Sequence, residues 1–328
     1  MVTRRRLVVT LGASALAAPF GVFSQKPGKV PQIGYLEAAT PSGAASRIGA
    51  FRKGLADLGY VEGKTIDIQY RYADDQLDRL PALAAELVRL KVDIMIAGGP
   101  SVIRSAKAST TSIPIVMGFD TDPVGSGFIA SLARPGGNIT GLATLAPQIS
   151  AKQVELLHTI IPKLARVAVL GTSTRPGSLH AFEEVKRAAD VFKIQVQYQD
   201  ALDAKSVDAA FQAASKWKAG AVICLGGPAY SSQLKEIIQL TAKSRLPVMF
   251  DRGDFVEAGG LITYGVSLSD LLRRAATYVD KILKGRAPAD LPIELPTKFD
   301  LVINMKTAKA LGLKIFESIV VQATRMIE

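Results

Sequence analysis

The 328 residues hold 40 lysines and arginines against 29 aspartates and glutamates, a formal net charge of +11, with one cysteine and two histidines. This length suits two domains of about 150 residues, each able to bury its own core. The single cysteine excludes an internal disulfide, and charges mixed along the chain, without zinc-finger spacing or aromatic–basic interleaving, point to solubility and mild steering of anions rather than nucleic-acid recognition.

Residues 1–25 have the pattern of an export signal. Arg4, Arg5 and Arg6 form the positive region, an uncharged apolar stretch covers 7–18, and Pro19 follows. That stretch falls short of the roughly 20 apolar residues needed to span a bilayer. The competing reading is a basic tail before a buried helix. Thr3-Arg4-Arg5 also has a twin-arginine look, so the export route stays open. The expectation is a soluble protein outside the cytoplasmic membrane, in the periplasm where there is an outer membrane. No cysteine follows the apolar run, so no lipid anchor is expected.

From residue 30 onward, short β-branched runs alternate with amphipathic stretches. VPQIGYL (30–36) is a strand candidate. AASRIGAFRKGLADLGY (44–60) follows with Ile48, Phe51, Leu55 and Leu58 on one helical face. TIDIQYRY, VDIMIAGG and IPIVMGF continue as strands, with LDRLPALAAELVRLK as a helix. The apolar runs are continuous, as for parallel strands covered on both faces, and their linkage through helices predicts right-handed βαβ units. The Gly- and Pro-rich segment 134–150 reads as a crossing. The alternation then restarts through ARVAVLG, IQVQYQ, GAVICLG and LPVMF with helices between them. Cys224 lies within one of these strands and reads as a small buried apolar residue.

The predicted fold class is therefore α/β, with two Rossmann-like lobes built on parallel sheets and joined by a hinge of several crossings. The boundaries predicted are 28–145 plus about 262–290 for the first lobe, and 146–261 plus about 291–328 for the second. GGLITYGVSLSD would begin the return. The helix after it places Leu271, Leu272, Ala275, Tyr278 and Ile282 to pack, and KFDLVINMKTAKALGL reads as a strand and a helix stopped by Gly312.

In open parallel sheets a ligand binds beyond the carboxyl ends of the strands. Small polar loops follow the strands at 37–42, 98–101, 120–123, 171–176, 226–230 and 251–254. Each could equally be an ordinary turn or cap. Their shared position would set them across one cleft. Asp120 and Asp122 can anchor an ammonium or cap the segment starting at Pro123, and the reading divides these roles, Asp120 facing the cleft and Asp122 capping. Tyr230 can stack on a solute or stand exposed at a helix start.

Enzyme motifs are absent: no GxGxxG after the first strand, no Walker GxxxxGK[ST], no GxSxG elbow. His158 and His180 lack a second histidine at metal-ligand spacing, so no metal or cofactor is expected. Asp74-Asp75 and Glu183-Glu184 read as solvated surface.

Three long blocks carry a resemblance: AFRKGLADLGYVEGKTIDIQYRYADDQLDRLPALAAELVRLKVDIMIA, IPIVMGFDTDPVGSGFIASLARPGGNITGL, and FVEAGGLITYGVSLSDLLRRAATYVDKILKGRAPADLPIELPTKFDLVINMKTAKALGL. In them the chain, from about 30 to 328, resembles bacterial ABC-transporter substrate-binding proteins of the type I periplasmic-binding fold. Some relatives look like binders of tryptophan or phenylalanine. The resemblance implies an amino-acid-like solute or related carboxylate, delivered by lobe closure to an ABC permease, and no catalysis. The first-lobe contacts it implies fall at Glu37, Ser101, Asp120 and Thr121, and the second-lobe contacts at Thr172, Tyr230 and Asp251. Pro228 departs from the family pattern before Tyr230, which leaves the ligand class more open than the fold. Because closure is internal to one chain, a monomer is expected. The alternatives are a binding module reporting to a membrane sensor and an enzyme using the same cleft.

Overall fold

The computed structural model describes residues 30–144, 148–174, 176–226 and 233–328. The signal assigned to 1–25 and the candidate Tyr230 lie outside the described residues.

The first sheet has five parallel strands in the order β2-β1-β3-β4-β5. They are β1 Gln32–Glu37, β2 Asp67–Tyr72, β3 Ile94–Gly98, β4 Ile115–Phe119 and β5 Ile139–Gly141. Apolar residues fill both faces because each is covered by helices. Ile33, Tyr35, Ile94 and Ile96 point to one core and Leu36, Met95, Ala97 and Met117 to the other. Helices α1 (Pro41–Asp57), α2 (Leu80–Arg89) and α3 (Pro100–Ser109) follow β1, β2 and β3 in turn. Thr40 starts α1 by accepting from Gly43 N at 3.2 Å, and Pro41 occupies a position whose N–H has no use.

The second sheet has seven strands in the order β12-β11-β10-β9-β8-β6-β7. These are β6 Arg166–Gly171, β7 Gln195–Asp200, β8 Ala221–Cys224, β9 Val248–Phe250, β10 Ile262–Val266, β11 Phe299–Asn304 and β12 Arg325–Ile327. Among the described residues only the β10–β11 pair is antiparallel. Val167 and Val169 meet one core, Ala168 and Leu170 the other. The described helices along this half are α4 Gln148–Ile160, α5 Pro176–Val191, α6 Ala204–Lys216, α7 Leu234–Ser244 and α8 Gly253–Glu257. Beyond β11 come α10 Met305–Ala310 and α11 Glu317–Val320.

Helix α9, Leu268–Leu283, returns to the first sheet. Its Leu271, Leu272, Ala275, Ala276 and Tyr278 are buried in one cluster with Phe51 and Leu55 of α1. Fully burying a side chain such as Phe51 contributes on the order of 2–3 kcal/mol. Close approach of the helices requires Gly54, where an added Cβ would stand 2.2 Å from the Arg273 carbonyl oxygen. The return begins later than the predicted 262, because β10 is hydrogen-bonded between β9 and β11 in the second sheet. The crossing to the first half is therefore made at Ser267, which caps α9. Pro123 likewise opens hydrogen-bonded turns rather than a regular helix.

The chain passes between the halves after β5, at Ser267, and again between α9 and β11. These passages are tied together. Leu142 bridges Glu294, Ala143 N donates to Glu294 O at 3.0 Å, and Ser267 N donates to Lys298 O at 3.1 Å. Arg274 on α9 pairs with Glu294 and donates to Leu295 O at 3.2 Å.

Candidate functional site

Glu37 ends β1 and is 8 % exposed. One oxygen, Oε1, accepts from Ala38 N at 3.0 Å and Ala39 N at 3.2 Å and meets Arg47 at 3.2 Å. The carboxylate thus organises its own loop. At the end of β3, Gly99 has φ of +86° and its N–H donates to Phe119 O at 2.9 Å. Pro100 opens α3, so Ser101 and Val102 present the first N–H groups of that helix, with no side chain capping them. The Ser101 side chain beside them is half-buried. Phe119 lies against Gly98, where a Cβ would come 2.5 Å from its ring.

Asp120 follows β4 and is fully buried. Its Oδ1 accepts from Asp122 N at 2.9 Å, and its carbonyl accepts from Thr144 N at 2.7 Å, on the first passage between halves. Asp122 instead accepts from Gly125 N at 2.8 Å and closes the turn. Thr121 is exposed.

In the second half Thr172 turns inward. Its N–H donates to Ser178 Oγ and its hydroxyl to Ala201 O, both at 3.0 Å, so the hydroxyl proton is already committed. Ser173, its neighbour, donates through N to Asp200 at 2.9 Å. Asp251 follows β9 and lies against Gly226, whose φ is +71° and whose Cβ, if present, would stand 2.0 Å from Asp251 Oδ2. Only glycine satisfies both constraints. Burial, and then the Asp251 charge, push the Cys224 thiol well up, which makes it inert.

Two groups were not singled out as ligand contacts in the sequence. Arg252 is half-buried, pairs with Asp254 at 2.6 Å and lies over Phe255 at 5.3 Å. Burial alone would lower its guanidinium, but Asp254, Asp251 and Asp75 outweigh it and raise it. Asp75, on the loop after β2, is pushed up by burial and then by Glu37, while Arg252 pulls it down. The strand-end loops of the two halves therefore sense each other's charge. Asp74 and Asp75 share left-handed backbone, φ +53° and +63°, a region that aspartate tolerates better than most residues. Adjacent aspartates alone signalled only a polar surface.

Among the described residues, no group of three histidines, cysteines, aspartates or glutamates could hold a metal ion. His158 packs on the Phe192 ring at 4.6 Å, and His180 stands 3.8 Å from Glu184. No helix of the described residues is long and apolar enough to cross a membrane.

A family model described as ABC transporter substrate binding protein matches residues 39–327. The chain is similar to a tyrosine-binding protein of Clostridioides difficile strain R20291, 25% identical over 267 residues, covering 80% of this chain and 76% of that one. It superposes on a conserved domain protein from Vibrio cholerae with 27% identity and a TM-score of 0.81, over 91% of this chain and 100% of the other. An ABC domain from Streptococcus pneumonia in complex with L-Trp matches with a TM-score of 0.82 and 24% identity, over 90% and 99% of the two chains.

Proposed function

Because the chain belongs to the ABC transporter substrate binding protein family, we propose that it captures an amino acid between its two halves and hands it to a membrane permease. The observation that carries the ligand class is the pairing, at neighbouring strand ends, of an uncapped helix start and a buried carboxylate. The N–H groups of Ser101 and Val102 suit a ligand carboxylate. Asp120, a buried carboxylate at the adjoining strand end, supplies the negative charge that suits an ammonium. Phe119, half-buried beside Gly98-Gly99, offers an apolar wall for an aromatic side chain. The relatives named for tyrosine and bound to L-Trp support that choice. Glu37 and Asp251 act in this reading by fixing loop shape, Thr172 as an acceptor, and Thr121 at the rim. Tyr230 would cover the ligand from the second lobe.

The lobes of the proposal are 31–144 with 268–294, and 148–266 with 299–328. Closure of one on the other buries the solute and aligns a surface from each for the permease, without catalysis. The chain acts as a monomer outside the cytoplasmic membrane, in the periplasm.

Mass spectrometry of ligand released from the purified protein, followed by calorimetry with tyrosine, tryptophan and phenylalanine, tests the reading. Asp120→Asn should cost about 2–5 kcal/mol in binding, because the ligand ammonium loses its counter-charge. Tight binding of an uncharged solute, undiminished in D120N, would overturn it.

A further inference from the structure

A second cavity lies a full strand length from the loops just described. Strands β9 and β10 run parallel, so Asp251 marks one end of the sheet, and Val248 and Leu261 mark the other. Beside that second end is a hollow of about 440 Å³, bounded by α7 and α10. This volume falls within the range of small-ligand sites, roughly 300–1,000 Å³.

Its composition is asymmetric. Leu246, Val248, Leu261 and Leu311 line the interior, while Arg245 and Lys306 stand on the rim from opposite helices. Among the described residues neither cation makes an ion pair. The Arg245 guanidinium only reaches Ala310 O at 3.4 Å. Arg245 has φ of +52° at the end of α7, which fixes the direction in which its side chain leaves the backbone. The opposite wall is also pinned. Asn304 Oδ1 accepts from Thr307 N at 3.0 Å, and the Thr307 hydroxyl donates to Gly259 O at 2.8 Å. An apolar hollow in a fixed frame with two cations at its mouth matches one chemistry, a carboxylate on an apolar body. The apolar part leaves water, and the carboxylate meets the guanidinium fork with the ammonium opposite.

We infer that this hollow is a second binding site, separate from the strand-end loops, for a small amphipathic carboxylic acid held between Arg245 and Lys306. It stands independently of the amino-acid reading, because it shares no residue with that site.

Octanoate, phenylacetate and the uncharged octanamide are titrated into the full chain, followed by amide NMR shifts and thermal unfolding. The acids should shift the signals of 244–248 and 305–311 and raise the unfolding temperature. Arg245→Gln and Lys306→Gln should each weaken octanoate binding about tenfold, and octanamide should bind the parent protein about tenfold more weakly than octanoate. Both positions are exposed, so the variants should fold as the parent does, and D120N should bind octanoate unchanged. Saturation absent up to roughly 10 mM, octanoate binding equal in R245Q and K306Q, or shifts confined to the loops around Asp251 would each overturn the assignment.

Discussion

At the scale of single residues, several carboxylates lie at the strand ends of a basic chain, and their surroundings give them different work. Glu37 is spent on its own loop and Arg47, Asp122 on a turn, whereas Asp120 is buried where the first passage between halves begins. The sequence showed that these loops were rich in short polar side chains, but it could not show where each hydroxyl pointed. Thr172 demonstrates the difference, because its proton goes to Ala201 O, a partner 29 residues away. Asp75 supplies a test with a definite sign. Its carboxyl is raised by burial and then by Glu37, so folding disfavours its charged form. The folded chain therefore holds a proton that the unfolded chain has released, and stability falls as pH rises from the unfolded value near 4 through the raised folded one. Asp75→Asn should stabilise the fold at pH 7 and raise its unfolding temperature, a gain of no more than about 0.5 kcal/mol because solvent still screens this only partly covered carboxyl. The gain should vanish below about pH 4, where the parent residue is protonated in both states. Paired melts at the two pH values measure it, and equal gains at both would contradict the account.

At the scale of elements, strand identity was legible because a parallel strand covered on both faces is a continuous apolar run, as in VDIMIAGG and ARVAVLG. Pairing was not legible. Residues 262–266 read as the start of a return, yet they hydrogen-bond within the second sheet, since the local pattern of a strand does not name its neighbours. The packing face of α9 was readable from its 3.6-residue spacing, and Leu271, Leu272, Ala275 and Tyr278 are buried there. What could not be read was how closely α1 and α9 approach, which Gly54 permits. Gly54→Ala would force its methyl against the Arg273 backbone, and overpacking of this kind costs about 1–3 kcal/mol. Chemical denaturation should show that loss, while Gly49→Ala, with nothing within 4 Å of its Cβ, should be neutral or slightly stabilising.

At the scale of the whole molecule, the passages between halves run together and are fastened by Arg274, which reaches Glu294, Leu295 O and Thr297 Oγ1 from α9. Three strands of chain bend together more easily than two packed cores deform, so the closure proposed above should be governed here. Arg274→Ala should change the fraction of closed molecules seen by small-angle scattering without ligand, and with it the apparent affinity, while Lys284→Ala on the exposed end of the same helix should leave both unchanged. The α1–α9 pairing has a further consequence, in time rather than in space. Ser46 meets Ser269, Asp57 meets Arg273 and Tyr60 meets Asp280, contacts separated by 223, 216 and 220 residues. The five strands of the first sheet leave a ribosome long before the helix that seals their core exists. Until α9 arrives, Phe51 and Leu55 have no cover on that side, and such distant closures slow folding. The first half to be made is therefore among the last to be finished.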